Sequence, residues 1–297
     1  MNIDNQSGKN VIVTGTGGIA FEISRALAEA GAHIIIAGRN AEKGADAVSR
    51  ICGDFPGAHV CFEMLDLADS ESIASFCERM NRRLTSLDTL MCIAGVMMPA
   101  DLQKTKEGVE MQFAVNYLGH FALTAGLMPL LKAGKDARVV TVSSIANRPL
   151  SFNLKDATAE RGYSSGISYA LAKLACLMFA VEFAKRSEER GWGVKAYSAH
   201  PGFAKTQLFS ASRHFMMVFF RISFIIVPII RQSAKHAALP ALLAATSPDA
   251  VSGKYYGPFF VIMGPPRRAF IPLRAKNQKL RTALWDLSVS LTGLDIE

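Results

Sequence analysis

Tyr169 and Lys173 stand four positions apart in the run Tyr169-Ala170-Leu171-Ala172-Lys173. On a helix that spacing puts a phenol and an ammonium on one face. A free phenol titrates at roughly 10, too high for easy proton exchange at neutral pH. A neighbouring ammonium favours the phenolate and brings the group toward a working range. The spacing is common by chance in helices, so it gains weight only from its company. Upstream, Ser143-Ser144 follows the apolar run Arg138 to Val142. A hydroxyl at the carboxyl end of a parallel strand points into the ligand crevice and can hold a carbonyl oxygen. Asn116 lies inside the otherwise apolar helical stretch Val109 to Leu131. A buried amide needs partners, so Asn116 either braces nearby backbone or fixes a water for proton relay.

A second constellation opens the chain. Val11-Ile12-Val13 is followed by Thr14-Gly15-Thr16-Gly17-Gly18-Ile19-Ala20. A glycine-rich turn between a strand and a helix lets backbone N–H groups approach a pyrophosphate, and the helix N-terminus adds favourable partial charge. The position, after the first strand and before the first helix, makes a dinucleotide the expected ligand. The end of the second strand selects among dinucleotides. An acid there would bond the ribose 2′-hydroxyl of NAD. The sequence has Gly38-Arg39-Asn40 instead. Arg39 can pair with a 2′-phosphate and no carboxylate repels it, so NADP is expected over NAD.

The elements that must position these groups alternate. Strands are expected at 11–13, 33–37, 60–65, 87–93, 138–142, 194–198 and 257–262, and helices at 20–31, 41–51, 70–84, 109–131 and 169–190, with Ser70 a candidate cap. Apolar, β-branched strands separated by helices predict an α/β fold: a Rossmann-type doubly wound parallel sheet of about seven strands with helices on both faces. No linker or repeat divides residues 1–297, so one domain is expected. An apolar segment at about 203–240 would cover the substrate crevice, and a helical extension would occupy 275–297.

Composition bounds the rest. Half the residues are hydrophobic and a fifth charged, as in globular chains. The net charge is +8 with pI ≈ 9.3, but the cations are scattered and no helix-turn-helix or zinc-finger signature appears, so nucleic acid is not an expected partner. Five cysteines without a C-x-x-C pair suggest free thiols in a reducing cytoplasm and no metal site. The first residues lack a secretory pattern, which also points to the cytoplasm. Met216 to Ile230 is strongly apolar, yet Arg221 and Pro228 interrupt it and it is short for a membrane span. With Arg213, Arg221 and Arg231 around it, 214–231 could make peripheral membrane contact. The phenylalanines and methionines of 203–226 suit a bulky, apolar ketone or alcohol.

In order and local phrasing, the turn, Asn116, Ser144, Tyr169 and Lys173 resemble the short-chain dehydrogenase/reductase family over about residues 8–265. The stretches Val115 to Phe121, Val139 to Ser144 and His200-Pro201-Gly202 resemble its retinol-dehydrogenase-like branch. The resemblance implies hydride transfer between a nicotinamide cofactor and a carbonyl or carbinol. Tyr169 would be the acid/base, Ser144 rather than Ser143 would orient the oxygen, Lys173 would hold the nicotinamide ribose, and Asn116 would complete a tetrad. Gly15, Thr16, Gly18, Ile19, Asp66 and Leu67, with Asp66 at the adenine, would hold the cofactor together with Ala94 and Gly95. Pro201, Gly202 and Thr206 would meet its nicotinamide end. A homodimer or homotetramer through the helices of Asn116 and Tyr169 is also implied. Two departures stand out. The glycine turn is one residue short, with Ala20 in place of the last glycine, and Cys92-Ile93-Ala94-Gly95 replaces the family's N-N-A-G. The short turn motivates an alternative, a non-catalytic dinucleotide sensor on the same fold. Nucleotide-sugar epimerase or dehydratase chemistry is a second alternative, which the apolar 203–231 segment suits poorly.

Overall fold

Residues 3–147, 154, 158–159, 162–203 and 232–297 are described by a computed structural model. Its core is one sheet of eight strands: β1 (Asn10–Thr14), β2 (His33–Gly38), β3 (Val60–Met64), β4 (Thr89–Cys92), β5 (Arg138–Val142), β6 (Lys195–Ala199), β7 (Tyr255–Pro258) and β8 (Pro266–Arg268). Their order is β3-β2-β1-β4-β5-β6-β7-β8. The first seven are parallel, and β8 returns antiparallel to β7. The chain winds outward from β1 to β3, then crosses back to place β4 on the other side of β1. That reversal opens a crevice beyond the carboxyl ends of β1 and β4.

Strand side chains alternate between faces, and each face has its own helices. Val11, Val13, Ile34, Ile36, Met91 and Val140 pack with α1 (Gly18–Glu29), α2 (Ala41–Asp54) and α6 (Ala234–Thr246). Ile12, Ile35, Leu90 and Val139 pack with α3 (Ser70–Arg83), α4 (Met111–Ala133) and α5 (Ser165–Arg190). By length and composition α4 and α5 could cross a membrane, but both are mostly buried in this fold.

The sequence placed seven strands; the eighth, Pro-Arg-Arg, has no apolar alternation to reveal it. β7 ends at Pro258, short of the expected Ile262, because Phe259 to Met263 form a tight hairpin tip with Val261 at φ 68°. The cap of α3 is Asp69 rather than Ser70. Its Oδ1 accepts from the N–H groups of Glu71 (3.0 Å) and Ser72 (3.4 Å), while Ser70 donates to Glu107. α5 starts four residues before Tyr169, at Ser165, where serine and glycine blur the helical pattern.

The expected C-terminal extension forms α7 (Leu273–Lys276) and α8 (Gln278–Thr292). Trp285 of α8 stacks on Phe179 of α5 at 5.9 Å and meets Phe121 of α4 edge-on at 5.3 Å. Arg281 donates to Glu182 at 3.1 Å with both groups buried, and the hydroxyls of Tyr117 and Ser288 are 2.6 Å apart. The Tyr117, Phe121 and Phe179 face of α4 and α5 is covered by α8.

Candidate active site

The two strand ends that flank the crevice are joined through Thr14, the last residue of β1. Its Oγ accepts from the N–H groups of Ile93 (2.9 Å) and Ala94 (3.0 Å) beyond β4. Gly15 follows at φ 102°, a left-handed value suited to glycine. A Cβ there would lie 3.1 Å from Ala20 Cβ, so the alanine in place of a glycine packs tightly against the turn. Gly17 precedes α1 without a side-chain cap and with open space around it. The first N–H groups of α1 are therefore offered to an external acceptor. The shortened turn thus keeps what a pyrophosphate needs: a glycine elbow, an uncapped helix and room. A dinucleotide fits these residues.

Other cofactor candidates divide. Thr16 packs against Gly38, and Arg39 is exposed just beyond. The Asn40 side chain is committed to capping α2, accepting from Lys43 N at 2.8 Å. Asp66 Oδ1 accepts from Ala68 N at 2.9 Å, a local loop bond. Leu67 is a core residue against Gly119. Ile19, Ala94 and Gly95 are half-buried beside the crevice, as are Pro201 and Gly202 at the end of β6. Gly202 has φ 69°, and a Cβ on it would strike the carbonyl of Ile262. Thr206 and the 214–231 segment lie outside the described residues.

The phenol and the ammonium do meet. Lys173 Nζ is 5.9 Å from the Tyr169 ring centroid, and both residues are buried. Lys173 Nζ donates to Val142 O at 2.9 Å, which ties it to the end of β5. A ladder joins β5 to α5: Thr141 Oγ donates to Cys176 O (3.0 Å) and Ser143 Oγ to Lys173 O (2.6 Å). It runs toward the turn of α5 that bears Tyr169. Ser143 has thereby spent its proton, and it accepts from Asn147 Nδ2 at 3.1 Å. Among the described residues Ser144 Oγ only accepts, from Ala146 N at 3.2 Å, so its own proton is left to donate. Asn147 also donates to the Tyr255 hydroxyl (2.9 Å), which donates to Ser144 O (3.3 Å), so the Ser144 loop is braced from β7.

Asn116 takes the bracing alternative. Its Oδ1 accepts from Val96 N at 2.7 Å and its Nδ2 donates to Val96 O at 2.9 Å. A Cβ on Gly95 would come within 2.8 Å of that Oδ1 and 3.6 Å of Lys173 Nζ. Asn116 therefore holds the Ala94–Val96 segment beside the lysine. It sits in a single π-turn, Ala114–Leu118, inside α4. Such bulges often occur where a helix must re-aim a functional side chain. The Asn116 carbonyl accepts from Cys176 Sγ and His120 Nδ1, both at 3.1 Å. Burial pushes the Cys92 thiol well above its usual range, consistent with a core thiol in place of the family's asparagine.

His120, Asn147 and Tyr255 were not singled out from sequence. His120 carried a signal, a lone imidazole in an apolar helix, but its partner Thr14 is 106 positions away. Gln112 is a further brace at the start of α4: its Oε1 accepts from Met98 N (2.7 Å) and its Nε2 donates to Ser165 O (3.0 Å).

Comparisons with known proteins agree with this geometry. The short chain dehydrogenase family model matches residues 9–216. Retinol dehydrogenase 12 of Mus musculus is 36% identical over 291 residues, covering 98% of this chain and 88% of the relative. Polyprenol dehydrogenase of Danio rerio is 33% identical, covering 97% and 88%. A solved structure of an uncharacterised Mycobacterium paratuberculosis protein is 31% identical and superposes with a TM-score of 0.82, covering 100% of this chain and 97% of that one. A Pseudomonas aeruginosa RhlG/NADP complex shares the fold at 20% identity and TM-score 0.67, covering 86% and 97%. A strand-end serine, a buried tyrosine–lysine pair, a dinucleotide turn and relatives of this likeness lead to one conclusion: the chain is an oxidoreductase of the short-chain dehydrogenase family, in its retinol-dehydrogenase-like branch.

Proposed function

We propose that this enzyme moves a hydride between NADP and a bulky, apolar ketone or alcohol, with Tyr169 as the proton donor and acceptor. The observation that carries the proposal is the division of labour at the end of β5. Ser143 Oγ is tied to the Lys173 carbonyl and Lys173 Nζ to the Val142 carbonyl, while the Ser144 hydroxyl keeps a proton for a substrate oxygen. In reduction, Ser144 holds the carbonyl oxygen and Tyr169 delivers a proton to it as the carbon becomes a carbinol; oxidation reverses both steps. Lys173, held by Val142 O, places its Nζ 5.9 Å from the Tyr169 ring centroid, where it would hold the nicotinamide ribose beside the phenol. The bound dinucleotide supplies or accepts the hydride. Arg39, exposed at the end of β2 without a carboxylate, favours the 2′-phosphate of NADP.

The substrate class rests on two supports. Beyond the carboxyl end of β7 the hairpin tip exposes Phe259, Phe260, Val261 and Met263, an apolar rim on the crevice side of the sheet. Two relatives are named for retinol and polyprenol, both long apolar alcohols.

The test is a screen of hydrophobic ketones and alcohols with NADPH, NADP, NADH and NAD. Turnover should appear with the phosphorylated cofactor and fall about 10²- to 10⁴-fold in Tyr169→Phe while NADPH binding persists. Arg39→Asp should shift preference toward NADH. NADPH binding without turnover on any substrate would favour the sensor alternative, and no binding would remove both.

A further inference from the structure

We propose that His120 is a positioning residue that locks three segments of the cofactor cleft into one wall: Thr14–Gly15, Ile93–Val96 and the Asn116 turn. His120 is buried in α4, with Nε2 2.9 Å from Thr14 Oγ and Nδ1 3.1 Å from Asn116 O. The hydrogens follow from the partners. A carbonyl only accepts, so Nδ1 carries the proton and donates to Asn116 O. In the neutral ring Nε2 then only accepts, so the Thr14 hydroxyl donates to it at 2.9 Å in preference to the longer contact with Met91 O at 3.3 Å. Both Thr14 lone pairs remain for the N–H groups of Ile93 and Ala94. Every capacity of the hydroxyl and the ring is thereby used. Burial keeps the imidazole neutral, with its pKa lowered to about 4, which preserves this donor and acceptor pattern at neutral pH.

The chain of bonds ends at functional groups on both sides. Thr14 precedes Gly15 of the phosphate turn. Asn116 clamps Val96 through its side chain, and Gly95 lies between Asn116 and Lys173. A filler of the same size without nitrogens would turn the Thr14 hydroxyl from the ring to Met91 O at 3.3 Å and leave the Asn116 carbonyl with the Cys176 thiol in place of the imidazole. It would also let Ala94–Val96 shift against both. Small shifts of groups that orient a reacting pair reduce turnover strongly. The proposal rests on the dinucleotide reading above, so its experiment includes one readout that needs no cofactor.

The variants are His120→Phe, His120→Gln and Thr14→Val. Each is measured for NADPH affinity by fluorescence, for kcat on the best substrate of the screen, for thermal midpoint, and for amide exchange of a peptide spanning 91–97. His120→Phe and Thr14→Val should each lower kcat by about 10- to 100-fold, weaken NADPH about tenfold, and speed exchange at Ile93 and Ala94. His120→Gln, which can both donate to Asn116 O and accept from Thr14, should recover most of the loss. A folded His120→Phe with unchanged kcat and NADPH affinity overturns the proposal. So does a His120→Gln as impaired as His120→Phe, because a lost packing shape would then explain both. If His120→Phe does not fold, Thr14→Val decides by the same criteria. If the unaltered protein binds no NADPH, the functional reading fails on its own. Amide exchange then judges the lock: protection of Ile93 and Ala94 unchanged in Thr14→Val would refute it.

Discussion

Adjacent serines at the end of β5 carry different duties because their hydroxyls have different partners. Ser143 Oγ bonds the backbone of Lys173 and the side chain of Asn147, whereas Ser144 Oγ accepts a single local bond. Ser144→Ala should therefore reduce turnover by about 10²-fold with little change in thermal midpoint. Ser143→Ala should chiefly lower stability, by about 1–2 kcal/mol, by leaving Lys173 O and Asn147 short of a partner. Equal losses of turnover per folded molecule in both variants would contradict this division. His120 makes a pH prediction as well. Burial first, and the Lys173 charge after it, outweigh the Asn116 carbonyl and lower its pKa from 6.5 to about 4. The unfolded chain thus takes up a proton below about 6.5 that the folded chain refuses until about 4. The stability from neutral His120 is complete above that upper value, declines as pH falls through the window, and levels off below it, for a total on the order of 3 kcal/mol. Denaturant titrations at several pH values should show the slope in the unaltered protein and a shallower one in His120→Gln.

Whole elements were legible where burial on both faces wrote continuous apolar runs, as in His33 to Ala37 and Arg138 to Val142. They were illegible where tertiary partners decide. The π-turn at Asn116 leaves no mark, because α4 is apolar around most of its circumference and any local register looks equally good. The order of Asn116, Ser144, Tyr169 and Lys173 was readable, since each carries a chemistry-bearing side chain in a local motif. Their supports were not: the partners of Asn147 and His120 are separated from them by 108 and 106 positions. Asn40 and Asp66, expected at the cofactor, also bond local backbone through their side chains, which their positions in the sequence did not show. The joint between α5 and α8 is also a long-range fact. Glu182 is buried between Arg186 (3.0 Å) and Arg281 (3.1 Å). Arg281→Met should destabilise the chain by about 3 kcal/mol, because it leaves a buried carboxylate with half its compensation. Adding Glu182→Gln should return part of that loss in chemical denaturation, and a double variant no better than the single one would argue against charge burial as the cause.

At the scale of the molecule, the sheet sets the cleft and the C-terminal helix completes the side behind it. Phe121 and Phe179 are fully covered, and Trp285 is sandwiched against them with the Arg186 guanidinium 4.3 Å from its ring centroid. Removing residues 277–297 should uncover this aromatic face and drive self-association, visible as a larger mass by light scattering. A truncated chain that stays folded with no increase in assembly size over the intact protein would show that α8 is dispensable as a cover. The same feature bears on how the enzyme responds to scarcity. An enzyme whose catalytic helices lean on a second copy loses function as the copies separate, following mass action. This chain carries the brace for its Tyr169 helix within its own sequence, so activity per molecule should hold constant on dilution from micromolar to nanomolar concentration.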